Sequence, residues 1–441
     1  MGDLRLKIKK YICAVLTGWF VLILTFSGCG QVVTEEQILE DIANHPVEKV
    51  YLEFYNRKRE VYELMESIIH DFNASQDRIV VTQIMNTNAE VPLRVAATDG
   101  DFPDMVLLSG LQSTETTEYI IGGHMLALDD MECLDRISKD YLPSLTYDGH
   151  IYQLPMAMGC EGIYVNTRLF EEEGLEIPTT YEELCSVCEE IMSRGKIPFI
   201  FADAEGWAVH QNWECIQSVY TDDFGSLYSN VAEGKTTFWE QDITREAMKK
   251  LIELHQYTSE AYVDLNYDEA INRFAEEKAF MFMQGSWAYR NIIKQNPHIE
   301  LEMIPFPVEE GQEQNFTIWV DSSVGIFKNC EHPEEAKEFL NYLMSPSVLQ
   351  TYLDEEKIMG CVRGSSVYVD YSPRISALIS ARKVNLDATW IPSQTSVIRD
   401  EDIASLMPDA TDEEVKKYMD VLTQSLQKHS EQFLQVKEKT G

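Results

Sequence analysis

Nine histidines are scattered along the chain and none forms an HExxH pair, so a zinc hydrolase site has no ligands to start from. No GxSxG elbow, Walker loop or GxGxxG turn occurs, which removes the usual serine-hydrolase, nucleotide and dinucleotide chemistries. Among 74 acidic residues carboxylate pairs are unavoidable, but none stands out as the acid and base that glycoside hydrolysis sets across a cleft. The sequence therefore favours binding over bond-breaking, and no cofactor or metal is expected. The residue that draws attention is Trp287. Residues 279–283 read as a strand, Gln284-Gly285-Ser286 turns at once, and a helix starts over 287–293. In an open α/β sheet, ligands sit outside the carboxyl ends of strands, and this turn puts an indole there.

Cysteine chemistry is the other possibility. Of nine cysteines, Cys13 lies in the N-terminal apolar run and Cys29 closes it, which leaves seven in the body of the chain. An odd number cannot all pair, and the spacing is not that of a disulfide scaffold. Cys185-Ser-Val-Cys188 has redox spacing, but it falls inside a helical pattern over 180–192 with no second CxxC and no nearby His. A metal site needs about four ligands. Buried helix cysteines are the expected reading, with a redox pair as the alternative.

Cys29 is different. Arg5, Lys7, Lys9 and Lys10 precede an uncharged run of 18 residues, 11–28, which as a helix reaches roughly 27 Å, just short of a bilayer core. Phe26-Ser27-Gly28-Cys29 resembles a lipobox, with Phe in place of the usual Leu. A lipoprotein signal cleaved before Cys29 and an uncleaved anchor are the two readings. Both put the remainder outside the cytoplasm, and the first makes Cys29 the lipidated, palmitate-bearing terminus on the outer face of the cell membrane.

The elements behind these residues belong to a folded α/β chain. Charged residues are 25% and hydrophobic ones 44% of 441, which excludes a disordered chain and a multi-span membrane protein. The net charge of -38 repels phosphate backbones, so nucleic acid is not an expected partner. Residues 50–54 read as a strand, and Val61, Leu64, Met65, Ile68, Ile69 and Phe72 then share one helical face. Strand 78–84, a helical stretch over 93–98 and strand 105–108 continue a β-α-β-α-β order, which implies a mostly parallel sheet. Asp148-Gly149 marks a hairpin. Pro178-Thr179-Thr180 opens a helix with Glu182 and Glu183 at its positive end. Residues 303–307 are extended, 317–327 carry strand character, and His332-Pro333 caps a helix with Ala336, Phe339, Leu340 and Leu343 on one face. The tail over 402–437 is helical.

Five stretches in this order carry a resemblance. They are the strand-helix start over 50–72; Ala97-Thr98-Asp99-Gly100-Asp101-Phe102-Pro103-Asp104-Met105-Val106; Asp148-Gly149-His150-Ile151-Tyr152-Gln153-Leu154-Pro155 with Gly162-Ile163-Tyr164-Val165-Asn166 and Leu169-Phe170; the run from Lys278 to Gly285-Ser286-Trp287; and His332-Pro333-Glu334-Glu335-Ala336-Lys337-Glu338-Phe339-Leu340. Together they resemble family 1 extracellular solute-binding proteins, the maltose-binding-protein-like sugar-binding class of ABC importers.

The resemblance implies two α/β lobes, each a mostly parallel sheet flanked by helices, with a ligand cleft between them. It divides the chain into a signal over 1–28, a lipidated linker over 29–45, lobe one over 46–156 plus 306–345, and lobe two over 157–305 plus 346–441. The chain would cross near Leu154-Pro155 and Met303-Ile304-Pro305. It also implies a monomer that captures a sugar or oligosaccharide and hands it to membrane permease subunits. A different solute (peptide, polyamine or iron), or a secreted glycoside-processing enzyme, remains as the alternative. A neutral sugar needs flat aromatics for its apolar face and carboxylates, amides and Arg for its hydroxyls. Trp287 is the expected stacking residue. Asn56 and Arg57 after the first strand, Ser109 and Gly110 after the third, and Glu161 after the first crossing are the polar candidates. Asn56 and Arg57 compete with a plain solvated basic run, 57–59. Trp207 and Trp213 are expected to divide between cleft and core. Trp319, Asp321, Arg363 and Trp390 complete the set.

Overall fold

The computed structural model describes residues 49–85, 101–108, 119–139, 141–142, 145–204, 206–259, 265–365, 370–380, 385–386 and 410–440. The signal, Cys29, the helical stretch over 93–98, Ser109, Gly110 and Trp390 lie outside them. The chain divides into two units, Met1–Lys49 and Val50–Gly441, and the second holds every element below.

β1 (Val50–Asn56) runs into a 3-10 turn and the helix Tyr62–Ser75, whose Leu64, Met65, Ile68, Ile69 and Phe72 are buried as their spacing requires. β2 (Ile79–Ile84) and β3 (Met105–Leu108) lie parallel on either side of β1. Asp148 and Gly149, both at positive φ, join β4 (Thr146–Tyr147) to β5 (His150–Ile151) in the hairpin their sequence requires. β6 (Leu154–Gly159) and β7 (Glu161–Asn166) follow with only Cys160 between them. β8 (Phe199–Ile200), β9 (Met281–Gly285) and β10 (Leu301–Ile304) are separated by helices. β11 (Thr317–Ile326), β12 (Met359–Gly360) and β13 (Asn385–Leu386) complete the strands.

Two sheets make two lobes. The first has the order β12-β6-β11-β3-β1-β2, with β13 on β11; the second has the order β10-β7-β9-β8. Both are mixed, not mostly parallel. The β-α-β start is parallel, but β11 runs antiparallel to β3 and β6, and β7 runs antiparallel to β9 and β10.

Each lobe has its own core. Leu52, Phe54, Met65, Phe72, Phe339 and Leu340 belong to the first; Ile163, Leu184, Trp213, Phe238, Met281 and Leu422 belong to the second. A third cluster, with Val106, Cys160, Tyr164, Trp287, Val320 and Met359, joins residues of both sheets.

The division of the chain differs from the sequence reading in three places. Met156 and Ala157 pack in the first core, so the first crossing is at Cys160 and not at Leu154-Pro155. Pro155 is tolerated inside a paired strand because β11 breaks register opposite it, between Ser322 and Ser323. Phe306 and Val308 pack in the second core, so the second lobe continues past residue 305. The helix Pro346–Glu356 packs Leu349, Tyr352 and Leu353 into the first core, so it belongs to lobe one. A third passage follows β12, where the Tyr371 carbonyl accepts from Met303 N–H (2.9 Å) and Ser372 Oγ donates to the Met303 carbonyl (2.6 Å).

Candidate functional site

The site grows from two strand ends, one in each lobe. β9 ends at Gly285, and Ser286–Ala288 turns as a 3-10 segment before the helix Tyr289–Gln295. Ser286 ties this turn to the crossing: its N–H donates to the Cys160 carbonyl (2.8 Å) and its Oγ accepts from Cys160 N–H (3.3 Å). A Cβ on Gly285 would stand 2.0 Å from the Trp287 ring, so the six-membered ring occupies the space a side chain there would need. Trp287 is 8% exposed, and its ring is 6.1 Å from Trp319 at 56°. Trp319 stands on β11 opposite Gly159, so the two indoles meet from different sheets.

Asp321 lies two residues beyond Trp319, at the register break of β11. A bulge of this kind re-aims a side chain, and here Asp321 Cβ would stand 2.9 Å from a Cβ on Gly159. Lys58 Nζ is bonded to the Asp321 carboxylate and to Ser322 Oγ (3.1 Å), and Tyr352 Oη donates to that same Oγ (3.1 Å). Asn56 is wholly buried; its Oδ1 accepts from Lys58 N–H and its Nδ2 donates to Gln83 Oε1, both at 2.8 Å. It therefore shapes the segment that follows β1, its amide turned to protein partners.

Glu161 starts β7 and pairs in register with Gly285. It is 3% exposed. Burial pushes its carboxyl well above the usual range, and Glu214 pushes in the same direction. Asn212, with its amide nitrogen turned to the two acceptors beside it, donates to Glu161 Oε1 (2.7 Å) and to the Met283 carbonyl (3.3 Å). Burial and Glu214 both favour the protonated form of Glu161, in which a carboxyl can donate as well as accept.

Trp207 and Trp213 lie on the helix Gly206–Ser218 and differ in burial. Trp207 is half-buried in the cluster shared by the lobes, its ring 5.5 Å from Tyr267. Trp213 is wholly buried, donates from Nε1 to the Thr244 carbonyl (2.9 Å) and packs 5.2 Å from Phe238. It is a core residue of the second lobe and leaves the candidate set. Arg57 is half-buried, with its N–H on the Leu107 carbonyl (3.4 Å). Arg363 is exposed on a turn whose backbone pairs with Arg136, and no contact brings it to the two indoles among the described residues.

Three further residues join the site. Lys58 reads in sequence as part of a solvated basic run, and nothing in the sequence singles out Tyr267 or Asn212. Arg59 lies 3.3 Å from Asp268 and 5.3 Å above the Tyr267 ring, and so bridges the lobes. The seven body cysteines are free thiols; Cys185 and Cys188 sit in the helix Tyr181–Ser193, and burial raises both thiols. Among the described residues no group of three or more His, Cys, Asp or Glu could hold a metal ion.

The family model for bacterial extracellular solute-binding proteins matches residues 67–360. The multiple sugar-binding protein of Streptococcus mutans is 26% identical over 324 residues, covering 72% of this chain and 76% of the relative. RafE in complex with raffinose has a similar fold, with a TM-score of 0.74, 23% identity and coverage of 87% of this chain and 100% of that one. A Bacillus licheniformis sugar transporter in complex with stachyose overlays with a TM-score of 0.64 and 19% identity, covering 88% of this chain and 99% of the other. With the two-lobed architecture and a family match over more than half of its length, the chain belongs to the bacterial extracellular solute-binding proteins.

Proposed function

We propose that this protein captures a sugar or oligosaccharide outside the cytoplasm and delivers it to the permease of an ABC importer. The observation that carries the reading is the meeting of Trp287 and Trp319 from opposite lobes, with the Asp321 and Glu161 carboxyls beside them. Indole faces suit the apolar face of a pyranose, and carboxyl groups suit its hydroxyls. Capture is by closure: the open lobes take the ligand, and contacts from both lobes favour the closed form. The protein binds and does not turn over its ligand, and it acts as a monomer. The lipobox-like Cys29 holds it at the membrane through lipid.

Two experiments test this. A thermal-shift screen of the purified full chain against mono- and oligosaccharides, amino acids and polyamines should raise the midpoint with a saccharide, by mass action; raffinose and stachyose are the first to try. A shift with amino acids or polyamines alone rejects the sugar. Cys29→Ala should abolish metabolic palmitate labelling, and unchanged labelling rejects the anchor.

A further inference from the structure

A lysine in a basic run after a strand is ordinarily solvated, yet Lys58 is only 9% exposed. Its backbone is fixed by Asn56, which is fixed by Gln83. Its Nζ meets Asp321 Oδ2 and Ser322 Oγ, with Glu60 at 3.8 Å. Ser322 Oγ donates to the same Asp321 oxygen (2.8 Å) and accepts from Tyr352. Lys58 and Ser322 thus both hold Oδ2, and neither engages Oδ1. A lone carboxylate this deeply buried is costly, and one held by an ammonium and a hydroxyl is tolerated. Asp321 stands against Gly159 and two residues from Trp319, where a ligand hydroxyl would approach.

We infer that Lys58 is a positioning residue of the ligand site: it offsets the buried charge of Asp321 and aims that carboxylate at a ligand hydroxyl beside Trp319, acting through Asp321 and not on the ligand itself. The inference rests on the saccharide reading above. A pair joining residues 263 positions apart also fixes the segment after β1 to β11, so the two ends of the first lobe's binding edge move as one.

The test is a double-mutant cycle on affinity. Raffinose, or whichever neutral saccharide the screen returns, is titrated calorimetrically into the full-length wild type, Lys58→Met, Lys58→Arg, Asp321→Asn and the Lys58→Met/Asp321→Asn double variant, with urea melts on each. Lys58→Met and Asp321→Asn should each weaken binding at least tenfold. The double variant should bind no more weakly than the weaker single one, because both remove the same contact. Lys58→Arg should recover part of the loss. Wild-type affinity in Lys58→Met, or losses that multiply in the double variant, overturns the inference and leaves the sugar reading standing. If Lys58→Met does not fold, Asp321→Asn and Lys58→Arg decide: a loss in the first with binding kept in the second supports the pair, and full affinity in Asp321→Asn overturns it. A wild type that binds no saccharide overturns both readings.

Discussion

Trp287 and Gly285 act as a unit. The indole lies where a side chain of residue 285 would stand, so the glycine is what makes room for the ring. Trp287→Ala should weaken saccharide binding by about 2 kcal/mol, the scale of an aromatic hot spot, or roughly thirtyfold. Its effect on the urea melt should fall short of the ~3–5 kcal/mol of a Trp deleted from a closed core, since part of its cover, Trp319, belongs to the other lobe. Gly285→Ala keeps the indole but displaces it, and calorimetry should find a comparable loss of affinity. Full affinity in both variants removes Trp287 from the site.

Glu356 is a second residue with a sharp expectation. It is 3% exposed, and burial pushes its carboxyl from 4.5 up to about 8. Arg290 and Lys58 oppose that shift, while Glu60 and Asp321 add to it. Between those pH values the folded state holds a proton that the unfolded state has lost. The stabilising contribution of this group is therefore complete below pH 4.5 and is lost as pH rises through about 8. Glu356→Gln should flatten the fall in stability between pH 5 and 8 in urea melts. An unchanged slope would assign the pH dependence to other groups.

At the scale of elements, the short turn after β9 is tied to the one-residue crossing at Cys160. Ser286 supplies both bonds between them. Ser286→Ala strips an acceptor from the buried Cys160 N–H, which should cost about 1–3 kcal/mol. Saccharide affinity should fall with it, because the Trp287 turn loses its tie to the crossing. A variant with wild-type stability and affinity would place the fixing of that turn elsewhere. Most elements here were legible from local signals: the Tyr62–Ser75 face, the Asp148-Gly149 hairpin, and the Thr180 capping box on Glu183. The helix Pro346–Glu356 was assigned to the wrong lobe because its apolar face says that it packs and not on which sheet.

At the scale of the molecule, three cations link the segment after β1, the start of helix Tyr62–Ser75 and the end of helix Pro346–Glu356 to the second lobe. Arg290 pairs with Glu356 (3.1 Å) and donates to the Glu60 carbonyl (2.8 Å); Lys294 pairs with Glu63 (2.9 Å); Arg59 pairs with Asp268 (3.3 Å). The last two pairs are exposed and worth about 0–1 kcal/mol each. Arg290 meets the buried Glu356 carboxyl and also bonds the Glu60 backbone, so its removal should matter more. Arg290→Leu should shift the ligand-free protein towards open lobes, seen as a larger radius of gyration in X-ray scattering, and should weaken apparent affinity by the fall in the closed fraction. Lys294→Leu should change neither measurably. Equal effects of the two would deny Arg290 a special part in closure.

The sequence by itself determined most of the elements, because periodicity, capping and turn residues act over a few positions of the chain, and the order of its five motif stretches carried the resemblance to the family. It also offered Asn56, Glu161, Trp319 and Asp321 as candidates, though not what each one touches. Only the tertiary structure decided that Trp213 fills a core while Trp207 reaches the surface shared by the lobes, that Asn56 spends its amide on Gln83 and Lys58, and that a lysine in a basic run is buried against Asp321. It also moved the crossing to Cys160 and made the sheets mixed. These outcomes depend on which distant strands pair and in what register, and a local pattern carries no record of its partner.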